Sequence, residues 1–154
     1  MAKKELNVSA LQNGTVIDHI PAQNLFKVIN ILGLEKVKTM ITFGTNLDSK
    51  QQGKKGIIKI SEYYFKDNDV NKIALVAPQA KLNTIKDYHV TDKKVVEVPD
   101  EIVGAVRCMN PACVTNHQKI TTRFYVTDKK NINLRCHYCE KITDQENLRF
   151  IMEE

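Results

Sequence analysis

All four cysteines of the chain fall in one stretch, as two close pairs: Cys108-Met-Asn-Pro-Ala-Cys113 and, 22 residues later, Cys136-His-Tyr-Cys139. Each pair reads as a tight turn that presents two sulfurs on one side, and Pro111 helps bend the longer one. Zinc takes four thiolates in a tetrahedron and usually receives them from two such turns. The residues between the pairs suffice for an antiparallel excursion and return. Cys108, Cys113, Cys136 and Cys139 are therefore expected to hold one structural zinc ion, with a small β domain built around it.

Two other readings compete. Paired disulfides need an oxidising compartment, and this chain opens Met-Ala-Lys-Lys-Glu with no apolar signal segment, so a cytoplasmic protein with reduced thiols is expected. A redox CxxC usually opens a helix. Here Cys136 follows the strand-like Ile132-Asn-Leu-Arg135, and no amphipathic helix follows Cys139. His117 and His137 could replace a sulfur, but four thiolates already fill the shell, and both read better as exposed loop histidines.

Charge separates the metal segment from the rest. Residues 1–98 carry 15 Lys+Arg against 10 Asp+Glu, whereas residues 99–154 carry 8 of each. Nucleic-acid-binding zinc ribbons normally carry their own basic excess, because phosphate neutralisation supplies most of the affinity. This neutral segment argues against a nucleic-acid adaptor. No apolar run is long enough to span a bilayer, so no membrane partner is expected.

Taken in order, Leu6–Leu11 alternates apolar and polar residues, turns at Asn13-Gly14 and continues extended through Thr15–Ile17 as a first strand. Pro21 suits the first turn of a helix, where no amide hydrogen is needed. Ala22, Leu25, Phe26, Ile29 and Leu32 then form one apolar stripe, ended by Gly33. Strands are expected at Thr39–Phe43 and Ile57–Ile60, with a polar loop over Gly44–Lys55 between them. Asp67 and Asp69 open a second helix whose stripe is Val70, Ile73, Ala74 and Ala77, stopped at Pro78. Ala80–Ile85 and Tyr88–Thr91 read as a hairpin. The order β-α-β-β-α-β-β fits an α+β, ferredoxin-like sandwich with one added strand, helices on one face and the other face open. Val95–Glu101 is the joint, which places domains at 1–98 and 99–154. Beyond it, strands are expected at Ile102–Arg107, Ile120–Thr127, Ile132–Arg135 and in the tail Leu148–Met152.

The chemistry of catalysis is missing: the sequence holds no GxSxG, P-loop, HExxH or GxGxxG, and a four-thiolate site leaves no open coordination position. What remains is anion binding. Lys54, Lys55, Lys59, Lys93 and Lys94 could gather on the first domain, with Lys59 and Lys93 converging and Asp18-His19 at a strand-to-helix junction. Solvated surface lysines, a capping aspartate and a surface histidine are the plainer reading. Together, these groups suit a nucleoside triphosphate: lysines for phosphates, a carboxylate for ribose hydroxyls, strand-edge carbonyls for the base.

Gly14-Thr-Val-Ile-Asp-His-Ile-Pro-Ala-Gln23, Ala74-Leu-Val-Ala-Pro-Gln-Ala80 and the two cysteine pairs, in this order, resemble the family of aspartate carbamoyltransferase regulatory chains across essentially the whole sequence. The resemblance implies a non-catalytic subunit of pyrimidine biosynthesis. Its N-terminal allosteric domain would bind nucleoside triphosphates and pair into a dimer, and its zinc domain would dock on the catalytic chain. Two catalytic trimers and three regulatory dimers would form the holoenzyme, with CTP inhibiting, helped by UTP, and ATP activating. Carried onto this chain, the nucleotide pocket falls on Val8, Ala10, Leu11, Val16, Asp18, His19, Lys59, Asn83, Ile85, Tyr88, Val90 and Lys93. Lys93 would hold phosphates with His19 near them. Asp18 and Lys59 would address ribose and base, and backbone around Leu11, Ile85 and Tyr88 would read the base edge. Lys55 would touch the phosphates of a second, metal-linked nucleotide. Asn110, Glu140 and Lys141 match residues that contact the catalytic chain. Ala112 stands where the family has an asparagine, the first ten residues diverge, and Lys94 has no assigned role.

Overall fold

The computed structural model describes residues 10–50 and 53–152. The polar stretch after the first helix folds as the hairpin of β2 (Ile41–Ser49) and β3 (Gly53–Ser61). With β1 (Gly14–Pro21), β4 (Lys81–Lys86) and β5 (His89–Val95) it makes one antiparallel sheet in the order β2-β3-β1-β4-β5. The first four strands have the expected ferredoxin-like order, and β5 is the added outer strand.

Alternation decides what each face carries. Ile17 pairs with Ile58, and Thr15 with Ile60. These isoleucines point to the helix side, where α1 (Leu25–Ile31) and α2 (Asp67–Val76) cover them. Ile17, Ile20, Leu25, Val28, Ile58, Ile60, Ile73 and Ala74 are fully buried there. Removing them from water is the main force holding this half together, at about 25 cal/mol per Å² of apolar surface.

Local structure of the first half departs from the sequence reading in several places. A 3-10 turn, Ala22–Asn24, delays α1 by a turn. The buried stripe is therefore Leu25, Val28 and Ile31, while Phe26 is 61 % exposed and meets Phe43 edge-on at 5.7 Å. The expected loop over 44–55 is mostly strand, bent where the register shifts between Gly44 and Leu47 and Asn46 takes φ 61°. Of the expected first strand, residues 6–9 lie outside the described residues, and the strand proper starts at Gly14.

Beyond residue 98 the chain packs around a second core of Ile102, Ala105, Val106, Phe124, Ile132 and Leu134. The expected strand 102–107 is two: β6 (Glu101–Val103) and β7 (Val106–Arg107), split at Gly104, whose φ of 72° suits glycine. They join different sheets. β6, β8 (Arg123–Asp128), β9 (Asn133–Cys136) and β10 (Ile142–Asp144) form one, and β7 pairs with the tail strand β11 (Arg149–Phe150). The short β10 was not expected from the sequence.

The halves are tied through α2. Its Ile73 and Ala74 lie in the first core, whereas Leu75 is fully buried in the second. Lys72, 3 % exposed, donates to the Ile151 carbonyl at 2.6 Å, and the Gln145 side chain donates to the Leu75 carbonyl at 3.0 Å. Phe150 packs against both cores.

Candidate functional site: a four-thiol cluster and a basic cleft

The sulfurs of Cys108, Cys113, Cys136 and Cys139 all lie within 4.8 Å of one another. Cys108 and Cys139 approach to 3.6 Å, and Cys113 and Cys136 to 3.8 Å. A tetrahedral Zn–S₄ site with bonds near 2.3 Å has edges of about 3.8 Å. The cluster therefore has the size of a metal shell.

The turns that carry the thiols are built to hold thiolates. Cys108 takes a hydrogen bond from the Asn110 backbone, Cys136 from the backbones of Cys139 and Tyr138, and Cys139 from the Lys141 backbone. Thr115 meets Cys113 at 3.2 Å. Asn116 staples the first turn, donating to the carbonyls of Cys108 (2.9 Å) and Asn110 (2.8 Å). Glu140 takes φ 63° to close the second turn, its amide donating to the Cys136 carbonyl at 2.9 Å. Without metal, burial above all, reinforced by the neighbouring thiols, pushes Cys108 up to about 12. Burial raises Cys136 as well. Burial also pushes Cys139 upward, but hydrogen bonds from the Lys141 backbone and the Asn110 side chain outweigh it and leave Cys139 at about 7. A divalent cation would displace the protons.

Both histidines are occupied elsewhere. His117 Nε2 meets the Pro111 carbonyl at 2.7 Å, and His137 Nδ1 meets the Tyr125 hydroxyl at 2.7 Å. Asn110, Glu140 and Lys141 border the cluster. Asn110 is half-buried and accepts from the Ala112 amide at 3.1 Å, whereas Glu140 and Lys141 are exposed.

The second site lies on the open face of the five-stranded sheet. One register row crosses four strands: Lys59 of β3 faces Val16 of β1, which faces Asn83 of β4, which faces Lys93 of β5. Directly paired residues point to the same side, so these four share the face away from the helices. Asp18 faces Lys81, and Lys81 faces Val95, in the next row on that face. Asp18, His19, Lys81, Asn83, Lys93, Lys94 and Val95 line a cleft of about 400 Å³.

A bulge in β1 between Ile17 and Ile20 aims Asp18 and His19 into this cleft. His19 has φ 59°, and its amide donates to Asp18 Oδ1 at 2.7 Å. The same carboxylate holds Lys55 Nζ at 2.9 Å, and its other oxygen lies 3.5 Å from His19 Nδ1. Burial, with lesser repulsion from Lys55 and Lys81, lowers the His19 pKa against the pull of Asp18. The imidazole is thereby kept neutral near pH 7.

The other expected pocket residues extend from this cleft along the same sheet. Val16 and Ile85 are buried on the shared face. Tyr88 sits at the β4–β5 turn with φ 67° and is 63 % exposed, and Val90 is 46 % exposed. The Tyr88 amide donates to the Gln12 carbonyl at 2.9 Å, bringing the segment that carries Ala10 and Leu11 against the turn. Val8 lies outside the described residues. Lys81 was missed, although its alternation with Asn83 places it on the same face. The Lys55–Asp18 ion pair had no sequence signal.

A ferredoxin-like sheet with a basic cleft, joined to a four-thiol β domain, defines a two-part protein with a metal-binding module. A profile described as aspartate carbamoyltransferase regulatory chain, allosteric domain, matches residues 6–97, and one described as its metal binding domain matches residues 100–149. The regulatory chain of Bacteroides fragilis is 53 % identical over 149 residues, 97 % of each chain. That of Bacteroides thetaiotaomicron is 52 % identical over the same span, 97 % of each chain. That of the archaeon Pyrococcus abyssi is 49 % identical over 146 residues, 94 % of this chain and 96 % of its own. The chain belongs to the family of aspartate carbamoyltransferase regulatory chains, and is thus of the regulatory and not the catalytic kind. Among the described residues, no helix is long and apolar enough to cross a membrane.

Proposed function

We propose that this chain senses nucleoside triphosphates for an aspartate carbamoyltransferase, with residues 1–98 binding the effector and residues 99–154 docking on the catalytic chain through a zinc-shaped surface. The observation that carries the reading is the register row Lys59–Val16–Asn83–Lys93 beside the cleft of Asp18, His19 and Lys81. It sets cations at one end of an open sheet face and backbone edges at the other, as a triphosphate and a base require. Lys93 and Lys81 would take phosphate oxygens, Asp18 and Lys59 ribose and base, and the backbone near Leu11, Ile85 and Tyr88 the exocyclic groups. Zinc fits the four thiols by number and spacing. Asn110, Glu140 and Lys141, set on the two cysteine turns, would meet the catalytic chain.

Regulation follows only if a nucleotide binds two quaternary states unequally. CTP and UTP would favour the less active state and ATP the more active one, in a holoenzyme of two catalytic trimers and three regulatory dimers. Reconstitution tests this. The zinc-loaded chain is mixed with catalytic trimers, the complex is sized by ultracentrifugation, and its rate is followed with each nucleotide. A chain that does not join the trimer, or a complex whose rate ignores all three nucleotides, overturns the proposal.

A further inference from the structure

A second basic cleft lies on the other side of the molecule, where α1 meets the tail ribbon. Arg107 of β7 and Arg149 of β11 are directly opposed in register. Residues so placed have Cβ atoms about 4.5–5.5 Å apart, and like charges there repel. Both arginines are exposed. They line a cleft of about 710 Å³ shared with Lys27 and Lys36 of the first half, over an apolar floor that includes Leu148 and Phe150. The same two arginines continue into a smaller recess beside Cys108, Met109 and Asn116. Among the described residues, Glu35 is the single carboxylate on the larger cleft's lining. Among the described residues, none of these four cations forms an ion pair, whereas Arg123 of the neighbouring sheet is paired with Glu101 at 3.2 Å.

We infer that Arg107 and Arg149 form a pincer for an oxyanion, a phosphate or carboxylate group, with Lys27 and Lys36 supplying the surrounding positive field. Two guanidinium groups on one face of a two-stranded ribbon can each offer paired N–H donors to such a group. The anion removes the repulsion that the fold alone leaves in place. It can come from solution or from an acidic side chain of a docked subunit. The second source rests on the function proposed above, and the first does not.

The chain has four arginines, Arg107, Arg123, Arg135 and Arg149, so their side-chain N–H signals in NMR can be told apart. Inorganic pyrophosphate is titrated at constant ionic strength into the full zinc-loaded chain carrying Lys81→Ala and Lys93→Ala, which removes both proposed phosphate contacts of the other cleft. The same spectra are recorded on the complex with unlabelled catalytic trimers. Selective shifts of Arg107 and Arg149 with pyrophosphate support a free ion, and selective shifts only in the complex support a partner's carboxylate. Arg107→Gln should abolish the Arg149 shift and, with no anion present, leave the melting temperature unchanged or raise it. If neither titrant moves these two arginines more than Arg123 and Arg135, the inference is wrong. A clear fall in melting temperature for Arg107→Gln without anion would also overturn it, by making the pair structural.

Discussion

Lys55 Nζ of β3 lies 2.9 Å from Asp18 Oδ1, across the β1 bulge, with both side chains only about one-fifth exposed. The pair sets the carboxylate's direction at the mouth of the basic cleft and keeps one lysine out of it. A charge-assisted bond of this kind is worth about 1 kcal/mol when partly shielded from water. A double-mutant cycle of Asp18→Asn and Lys55→Met, read by urea unfolding, is expected to give a coupling energy of about that size. Additive single-mutant effects would show that the pair does not hold the bulge.

Lys93 offers the cleft a cation from an outer strand, with no role in either core. Lys93→Ala should weaken CTP and ATP binding about tenfold, the equivalent of one charge-assisted contact. Metal content and assembly should be untouched. Unchanged affinity by calorimetry would remove Lys93 from the pocket.

His19 gives binding a pH signature. Burial holds its pKa below the ordinary 6.5, so the free protein carries a neutral imidazole near pH 7. A bound polyphosphate favours the imidazolium and raises that pKa, so binding takes up a proton. Affinity should therefore rise as pH falls towards and below 6.5, more steeply in wild type than in His19→Gln. Equal slopes by calorimetry in the two proteins would place the phosphates away from His19.

The thiol cluster makes metal affinity steep in pH. In the metal-free fold at pH 8, Cys139 is largely ionised and Cys108, at about 12, holds its proton, as does Cys136, raised by burial. Metal binding then releases at least two protons, so apparent affinity should fall at least about 100-fold per pH unit between pH 9 and 7. Below pH 7, Cys139 adds a further proton and the fall steepens. Chelator competition across pH checks this. Cys113→Ser should lose the metal and, with it, the docking surface; normal metal content in that variant would contradict the shell.

Gly14 opens β1 with φ +144°, and a Cβ there would sit 2.0 Å from the Ile60 carbonyl oxygen. Backbone cannot yield as a side chain can. Gly14→Ala is expected to cost about 3 kcal/mol by chemical denaturation. A loss under about 1 kcal/mol would mean that β1 and β3 can separate locally without penalty.

The metal site was legible because its ligands are paired in sequence and each turn is a local structure. The order of the first four strands was legible because their apolar alternation is clean. The outer half of the β2–β3 hairpin was not: Gly53, Lys54 and Lys55 look like a loop, yet their backbones pair with Ser49, Asp48 and Leu47. On α1, Leu25, Ile29 and Leu32 face the core as read, but Phe26 was misplaced, and Val28 and Ile31 fill the buried stripe instead. Within the cleft, Asp18, His19 and Lys93 carried a signal. Lys81 became visible only once the register with Asp18 was known. The opposition of Arg107 and Arg149 depends on pairing between strands 42 positions apart, which no local pattern records.

Every residue of β5 is exposed, and the strand forms the sheet's outer edge. Such an edge offers unpaired amides and carbonyls to any other strand, and charged side chains discourage the match. Lys93 and Lys94 thus guard this edge, flanked by Val90 and Val95 at 46 % and 50 % exposure. Neutralising both to silence the cleft would also make the strand adhesive. If Lys93 holds effector phosphates as proposed, one side chain serves both recognition and resistance to self-association, so a variant blind to nucleotide but well behaved in solution should lose Lys93 and keep Lys94.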